Sequence, residues 1–178
     1  MRFVPAIALG LLTSALLAGC ASPLTKNINV DSEYDSVVDF SGLTTYSWLA
    51  SAQIVNDPQG QWEPRGFDAD EEIRFLINRE MRQRGFTQVE KNPDVYVAFL
   101  AGVNMEALNL KKDPKTKLRV LTKEPEGALA VVLLDAESSE AIWGAVAGDK
   151  VDTKYSIEDS KKRLDYAVTK MFARWPSN

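Results

Sequence analysis

Carboxylates are the first residues in this chain whose types and spacing could do chemistry. Asp68, Asp70, Glu71 and Glu72 crowd one short stretch, as oxygen ligands of calcium or magnesium would. Their order, however, lacks an ordered ligand loop, and the start of a helix explains each charge. Asp68 precedes Glu71 at capping-box spacing, and the neighbouring acids complement the positive helix end. Asp94 and Asp135 could serve as a hydrolytic pair only if they faced each other across a cleft. Both stand at strand ends, where Asp ordinarily serves turns. The chain has no histidine, which removes the commonest general base, the commonest metal ligand and every imidazole triad. No nucleophile elbow, P-loop or dinucleotide fingerprint occurs. The residues therefore predict no catalytic set, no metal and no cofactor, and a protein that is not an enzyme.

Two features could instead make contact with a partner. Lys111, Lys112, Lys115, Lys117 and Arg119 form the basic patch of an otherwise acidic chain. Such a patch could touch anionic headgroups or phosphate groups; the plainer reading, a solvated loop, is preferred. Trp62 lies in a loop rich in Pro, Gly and Asn, where an exposed indole would mark a contact site. More often such a ring folds back onto its own domain. Net charge is −4, which argues against nucleic acid as a partner. With 178 residues, 45% of them hydrophobic, the chain can bury the core of one ordinary domain.

The chain has one cysteine, Cys20, and it follows an apolar run. Arg2 gives a minimal positive start, and the uncharged span from Phe3 to Leu17 is too short to cross a membrane comfortably. It fits the apolar region of a secretory signal. The residues Leu17, Ala18, Gly19 and Cys20 resemble the lipobox of bacterial lipoproteins. That resemblance implies cleavage between Gly19 and Cys20, a diacylglyceryl group on the Cys20 thiol and acylation of the freed amine. Two or three acyl chains make a durable anchor, each buried methylene contributing about 0.8 kcal/mol. The resemblance to enterobacterial-type lipoproteins further implies, from the absence of Asp after the cysteine, the outer membrane, with the inner membrane as the alternative.

The elements that must position these residues follow from periodicity. Segments starting at Ile28 and Thr44 read as strands, with Tyr46 and Trp48 on one face. Ile73, Leu76, Ile77 and Met81 share one helical face, and Gly85 stops that helix. The stretch Asp94 to Gly102 is apolar on both faces, which places it centrally in a covered sheet. Ala128 to Leu134 and Ala141 to Ala147 form a hairpin across a polar loop. Residues 104–127 read as a β-ribbon or long loop turning near Asp113 and Pro114. Ser156 and Asp159 open a second helix, whose apolar stripe runs from Leu164 to Trp175 before Pro176. The fold class is α+β: a mainly antiparallel sheet with two helices packed on one face, in two layers.

Five phrases fall in a familiar order: YDSVVDFSGLTTYSWL, DEEIRFLINREMRQRGF, NPDVYVAFLAG, GALAVVLLDAESSEAIWGA and a terminal RWP. Together, from about Tyr34 to Pro176, they resemble the domain-of-unknown-function family 4136 of bacterial lipoproteins. Two departures stand out: Trp143-Gly144-Ala145 replaces the frequent Trp-Arg-Gly, and the charged KKDPKTKLR replaces a Gly- or Tyr-rich segment. The resemblance implies a fold and a compartment, and no catalytic residues. The chain divides into a signal peptide (1–19), a lipidated tether (20–27) and one α+β domain (28–178). The expectation is a lipid-anchored, periplasm-facing module that binds an envelope protein or glycolipid. An apolar-ligand or lipid-binding lipoprotein is the first alternative, predicting a pocket between sheet and helices. A histidine-free carboxylate hydrolase of envelope material is the second. Oligomeric state is left open.

Overall fold

Helix α1 (Ala69–Gln83) begins where Asp68 accepts a hydrogen bond from the Glu71 amide at 3.0 Å. It ends in a Schellman turn: Gly85 takes φ of 86°, its amide reaches the Arg82 carbonyl, and the Phe86 amide reaches Met81. Helix α2 (Ile157–Phe172) starts the same way, the Ser156 hydroxyl accepting from the Asp159 amide at 3.0 Å. Ile73, Leu76, Ile77 and Met81 of α1, with Ala167, Val168, Met171 and Phe172 of α2, are buried as their periodicity requires. The structure is a computed structural model; it describes residues 23–60, 66–105, 108–112, 119–123, 126–150 and 155–176, with the side chains of 108–112 and 119–123 left undescribed.

The strands are β1 (Asn29–Tyr34), β2 (Thr45–Asn56), β3 (Thr87–Gln88), β4 (Val95–Asn104), β5 (Leu108–Lys112), β6 (Arg119–Lys123), β7 (Glu126–Asp135) and β8 (Ala141–Lys150). Six of them form one sheet in the order β1-β8-β7-β4-β2-β3, and β5 pairs with β6 in a separate ribbon. The expected hairpin of β7 and β8 is present and antiparallel. The sheet itself is mixed, against the expectation of a mainly antiparallel one, because β2 runs parallel to both β4 and β3. The physical cause is the helix between them. Parallel neighbours need a crossover of a dozen or more residues, and α1 supplies it, so β2, α1 and β4 form a βαβ unit.

One core joins the helices to alternate strand residues: Tyr46 from β2, Val95, Val97 and Phe99 from β4, Leu129, Val131 and Leu133 from β7, and Trp143, Ala145 and Ala147 from β8. The intervening residues point away from this core. Strand β4 is central, as expected, yet its outward face is not covered in the way two apolar faces suggested. Leu100 is 42% exposed, and Val146, in the same row beyond Ala130, is 51% exposed. Small outward residues (Ala50, Ala98, Ala130, Gly144) explain why such a face can be apolar without burying much surface. At the chain entry, residues 23–27, expected as part of a tether, form turns against the domain, with Thr25 buried.

Candidate ligand cleft

The inward side chains taper along the sheet. On β4 the inward series runs Val95, Val97, Phe99 and then Ala101; on β8 it runs Trp143, Ala145, Ala147. The large residues fill the space beneath the helix C-terminal halves. Phe172 meets Trp143 at 4.7 Å between ring centroids, and Trp175 stacks on Phe172 at 5.9 Å. At the other end the small residues leave a gap under the first turns of both helices. The gap is a cleft of about 250 Å³, with Ala101, Leu129 and Ala147 on the sheet side and Phe67, Ile73, Leu164 and Ala167 opposite. Core packing normally leaves few voids larger than a water molecule, so an apolar opening of this size is a candidate binding site.

The polar lining sits at the rim. Arg163 of α2 and Asp149 of β8 form an ion pair whose side chains are only 13% and 12% exposed. The same guanidinium donates to the Leu24 carbonyl and lies 4.5 Å over the Tyr155 ring. A buried ion pair is kept only where geometry and further hydrogen bonds compensate its desolvation; here the second guanidinium arm also holds the entering chain against the cleft. Ile28, which follows that turn, is part of the wall. Chemically the site can exclude water around an apolar group and keep charge at its mouth.

Of the acids that suggested chemistry, Asp68, Asp70, Glu72, Asp94 and Asp135 are each engaged by a neighbour. Asp68 caps α1, Asp70 pairs with Arg74 at 2.7 Å, and Glu72 pairs with Lys161 at 2.5 Å. Asp94 and Asp135 do come to the same end of adjacent strands. Asp94 accepts from the amides of Thr44 and Thr45, both at 2.8 Å, and Asp135 accepts from Ser138 and Glu137 amides in the hairpin turn. These bonds, from the Thr44 amide first at Asp94 and the Ser138 amide first at Asp135, hold both carboxyls below the usual carboxylate range. Among the described residues no group of His, Cys, Asp or Glu could hold a metal ion.

The model of a domain of unknown function, DUF4136, matches residues 30–177. The chain belongs to the DUF4136 family. A solved DUF4136 family protein from Bacteroides thetaiotaomicron shares the fold at a TM-score of 0.51, with 12% identity over 83% of this chain and 95% of that one. A PDZ domain protein from Parabacteroides distasonis gives the same TM-score at 13% identity, over 86% of this chain; this chain spans only 38% of that protein's length. No curated protein sequence matches this chain.

Within the DUF4136 domain, the residues singled out in the sequence fare unevenly. Lys111, Lys112 and Arg119 belong to the β5–β6 ribbon, as the ribbon reading of 104–127 anticipates; Lys112 stands opposite Arg119. Lys115 and Lys117, the expected turn at Asp113 and Pro114, Trp62, Gly19 and Cys20 lie outside the described residues. No described helix is long and apolar enough to cross a membrane. Arg163, Asp149 and the cleft escape sequence reasoning. The one signal that could have found them is the drop from Phe99 to Ala101 and from Trp143 to Ala147 at inward positions.

Proposed function

We propose that this DUF4136 protein is a lipid-anchored, periplasm-facing protein of the bacterial outer membrane whose domain binds an apolar ligand and is not an enzyme. The cleft carries the reading: a mainly apolar space whose charged lining is the Arg163–Asp149 ion pair and the adjacent Lys150. It suits a non-polar group better than a reacting polar one. The lipobox-like Leu17 to Cys20 supports the anchor and its periplasmic side, and Cys20 is the attachment point in this reading. Both helices lie on one face of the sheet in the same reading, so the cleft is the seam between two layers.

The test uses an environment-sensitive apolar dye, N-phenylnaphthylamine, with the full chain and with Ala101→Phe, which fills the cleft floor. Dye fluorescence should rise with the native chain and affinity should fall about tenfold in the variant, as for lost pocket volume. No rise, or an equal rise in both, overturns the cleft as a ligand site. In cells, a palmitate analogue should label the native chain and leave Cys20→Ala unlabelled. Equal labelling would remove the anchor.

A further inference from the structure

The entering chain is fastened to the rim of the cleft. Its described part begins at residue 23 and turns against the domain, with the Ile28 amide donating to the Thr25 carbonyl at 3.1 Å and Thr25 buried. In that turn the Leu24 carbonyl accepts from Arg163. Arg163 and Ile28 both line the cleft, so the turn is held there at its start and at its end. Cys20 stands four positions before Leu24, a stretch of backbone that reaches at most about 14 Å. A lipidated Cys20 therefore carries its acyl chains to within one short tether of an apolar opening of about 250 Å³.

We propose that the cleft takes up one of the acyl chains carried by Cys20 of the same molecule. The inference rests on the anchor and ligand-cleft readings and names the ligand. Ala101, Leu129 and Ala147 on one side and Ile73, Leu164 and Ala167 on the other present hydrocarbon to hydrocarbon. Arg163 and Asp149 answer each other's charge, Arg163 also holds Leu24, and Lys150 beside them is exposed. The rim thus makes no demand for a charged headgroup inside. The tether decides between a tail of this molecule and a free lipid. A short linker gives a tethered group an effective concentration in the millimolar range, whereas a free phospholipid is held in its bilayer by two chains. The cleft, about 250 Å³, lies just below the roughly 300–1,000 Å³ of drug-sized pockets, which suits a single chain. Where Cys20 bears three chains, the two left in the bilayer still make a durable anchor. Uptake of one chain then draws the cleft mouth to the membrane without loosening the attachment.

The experiment feeds cells that make the full chain a fatty acid bearing a diazirine, irradiates their membranes and identifies cross-linked peptides by mass spectrometry. The expected product is the Cys20 lipopeptide joined to peptides containing Ala101, Ala147 or Leu164. Ala101→Phe on the floor and Gln53→Trp at the rim should each lower it about tenfold, and Gln53→Trp guards against a variant that fails to fold. Copies labelled with light and heavy nitrogen, purified with their lipid and mixed in phosphatidylcholine vesicles, should give products that join peptides of like label. Products of mixed label would assign the tail to a neighbouring copy and overturn the proposal. Cleft peptides joined to a phospholipid instead of the lipopeptide would also overturn it and leave the ligand-cleft reading standing. The same holds if the lipopeptide joins only peptides of the outward sheet face. A Cys20 that carries no acyl group removes the anchor reading and this inference together. The dye measurement uses chain synthesised without membranes, whose Cys20 bears no lipid, so its failure speaks against the cleft alone.

Discussion

At Asp94 a single carboxylate oxygen ties the start of β4 to the start of β2. It accepts from the Thr44 and Thr45 amides and from the Thr45 hydroxyl, each at 2.8 Å, while the Asp94 amide donates back to the Thr45 hydroxyl at 2.9 Å. This exchange fixes the parallel register that brings Tyr46 beside Val95. Because these bonds lower the Asp94 pKa in the folded state, the stability they supply is present above the unfolded carboxylate value, about 3.9, and is lost as pH falls through the lower folded value. Asp94→Ala should therefore cost about 1 kcal/mol near neutral pH, a figure reduced for partial exposure. The gap to the native chain should close as urea melts are repeated at pH values descending below 4. A gap that persists in acid would assign the loss to something other than the carboxylate. At the cleft, Arg163 does comparable work between chain entry, β8 and α2.

Among the elements, α2 depends on its first turn. Ser156 both accepts from the Asp159 amide and donates to the Asp159 carboxylate at 2.9 Å, and its helix supplies one wall of the cleft. Ser156→Ala should lower stability by about 1 kcal/mol, measured as a fall in Tm of roughly 2–4 °C for a domain of this size. No change in Tm would mean that the cap contributes nothing beyond the helix's packed face. Both helices are legible in the sequence, since cap, apolar stripe and stop follow one another along a single stretch of chain. The hairpin of β7 and β8 is legible for the same local reason. The partner of β2 is not: the choice between a parallel and an antiparallel neighbour is made by the path of α1, which no local pattern encodes. Glu80 is equally illegible. It sits on the buried side of α1, 3% exposed, because Arg79 at 2.7 Å and Arg84 at 2.9 Å accompany it.

For the whole molecule the decisive fact is that burial is one-sided. Phe172 is fully buried between Trp143, Trp175 and the Arg84 guanidinium, 5.0 Å above its ring. Phe172→Ala should cost about 3–5 kcal/mol, a large part of the roughly 5–15 kcal/mol that typically holds a domain together. Leu100→Ala, on the outward face, should change stability by no more than about 0.5 kcal/mol. Chemical denaturation of both variants checks the contrast; similar losses would mean that the outward face is packed in solution.

By itself the sequence determined the two helices, the β7–β8 hairpin, the family and the absence of histidine chemistry, because each depends on residues close together or on composition alone. Only the tertiary structure decided that the sheet is mixed, that Asp68, Asp70, Glu72, Asp94 and Asp135 are held by caps, turns and ion pairs, and that a cleft opens beneath the helix N-termini. That cleft exists because small residues far apart in the chain, Ala101, Ala147 and Ala167, meet in one place. A cavity is the volume that several elements fail to fill together, so no single stretch of sequence contains it.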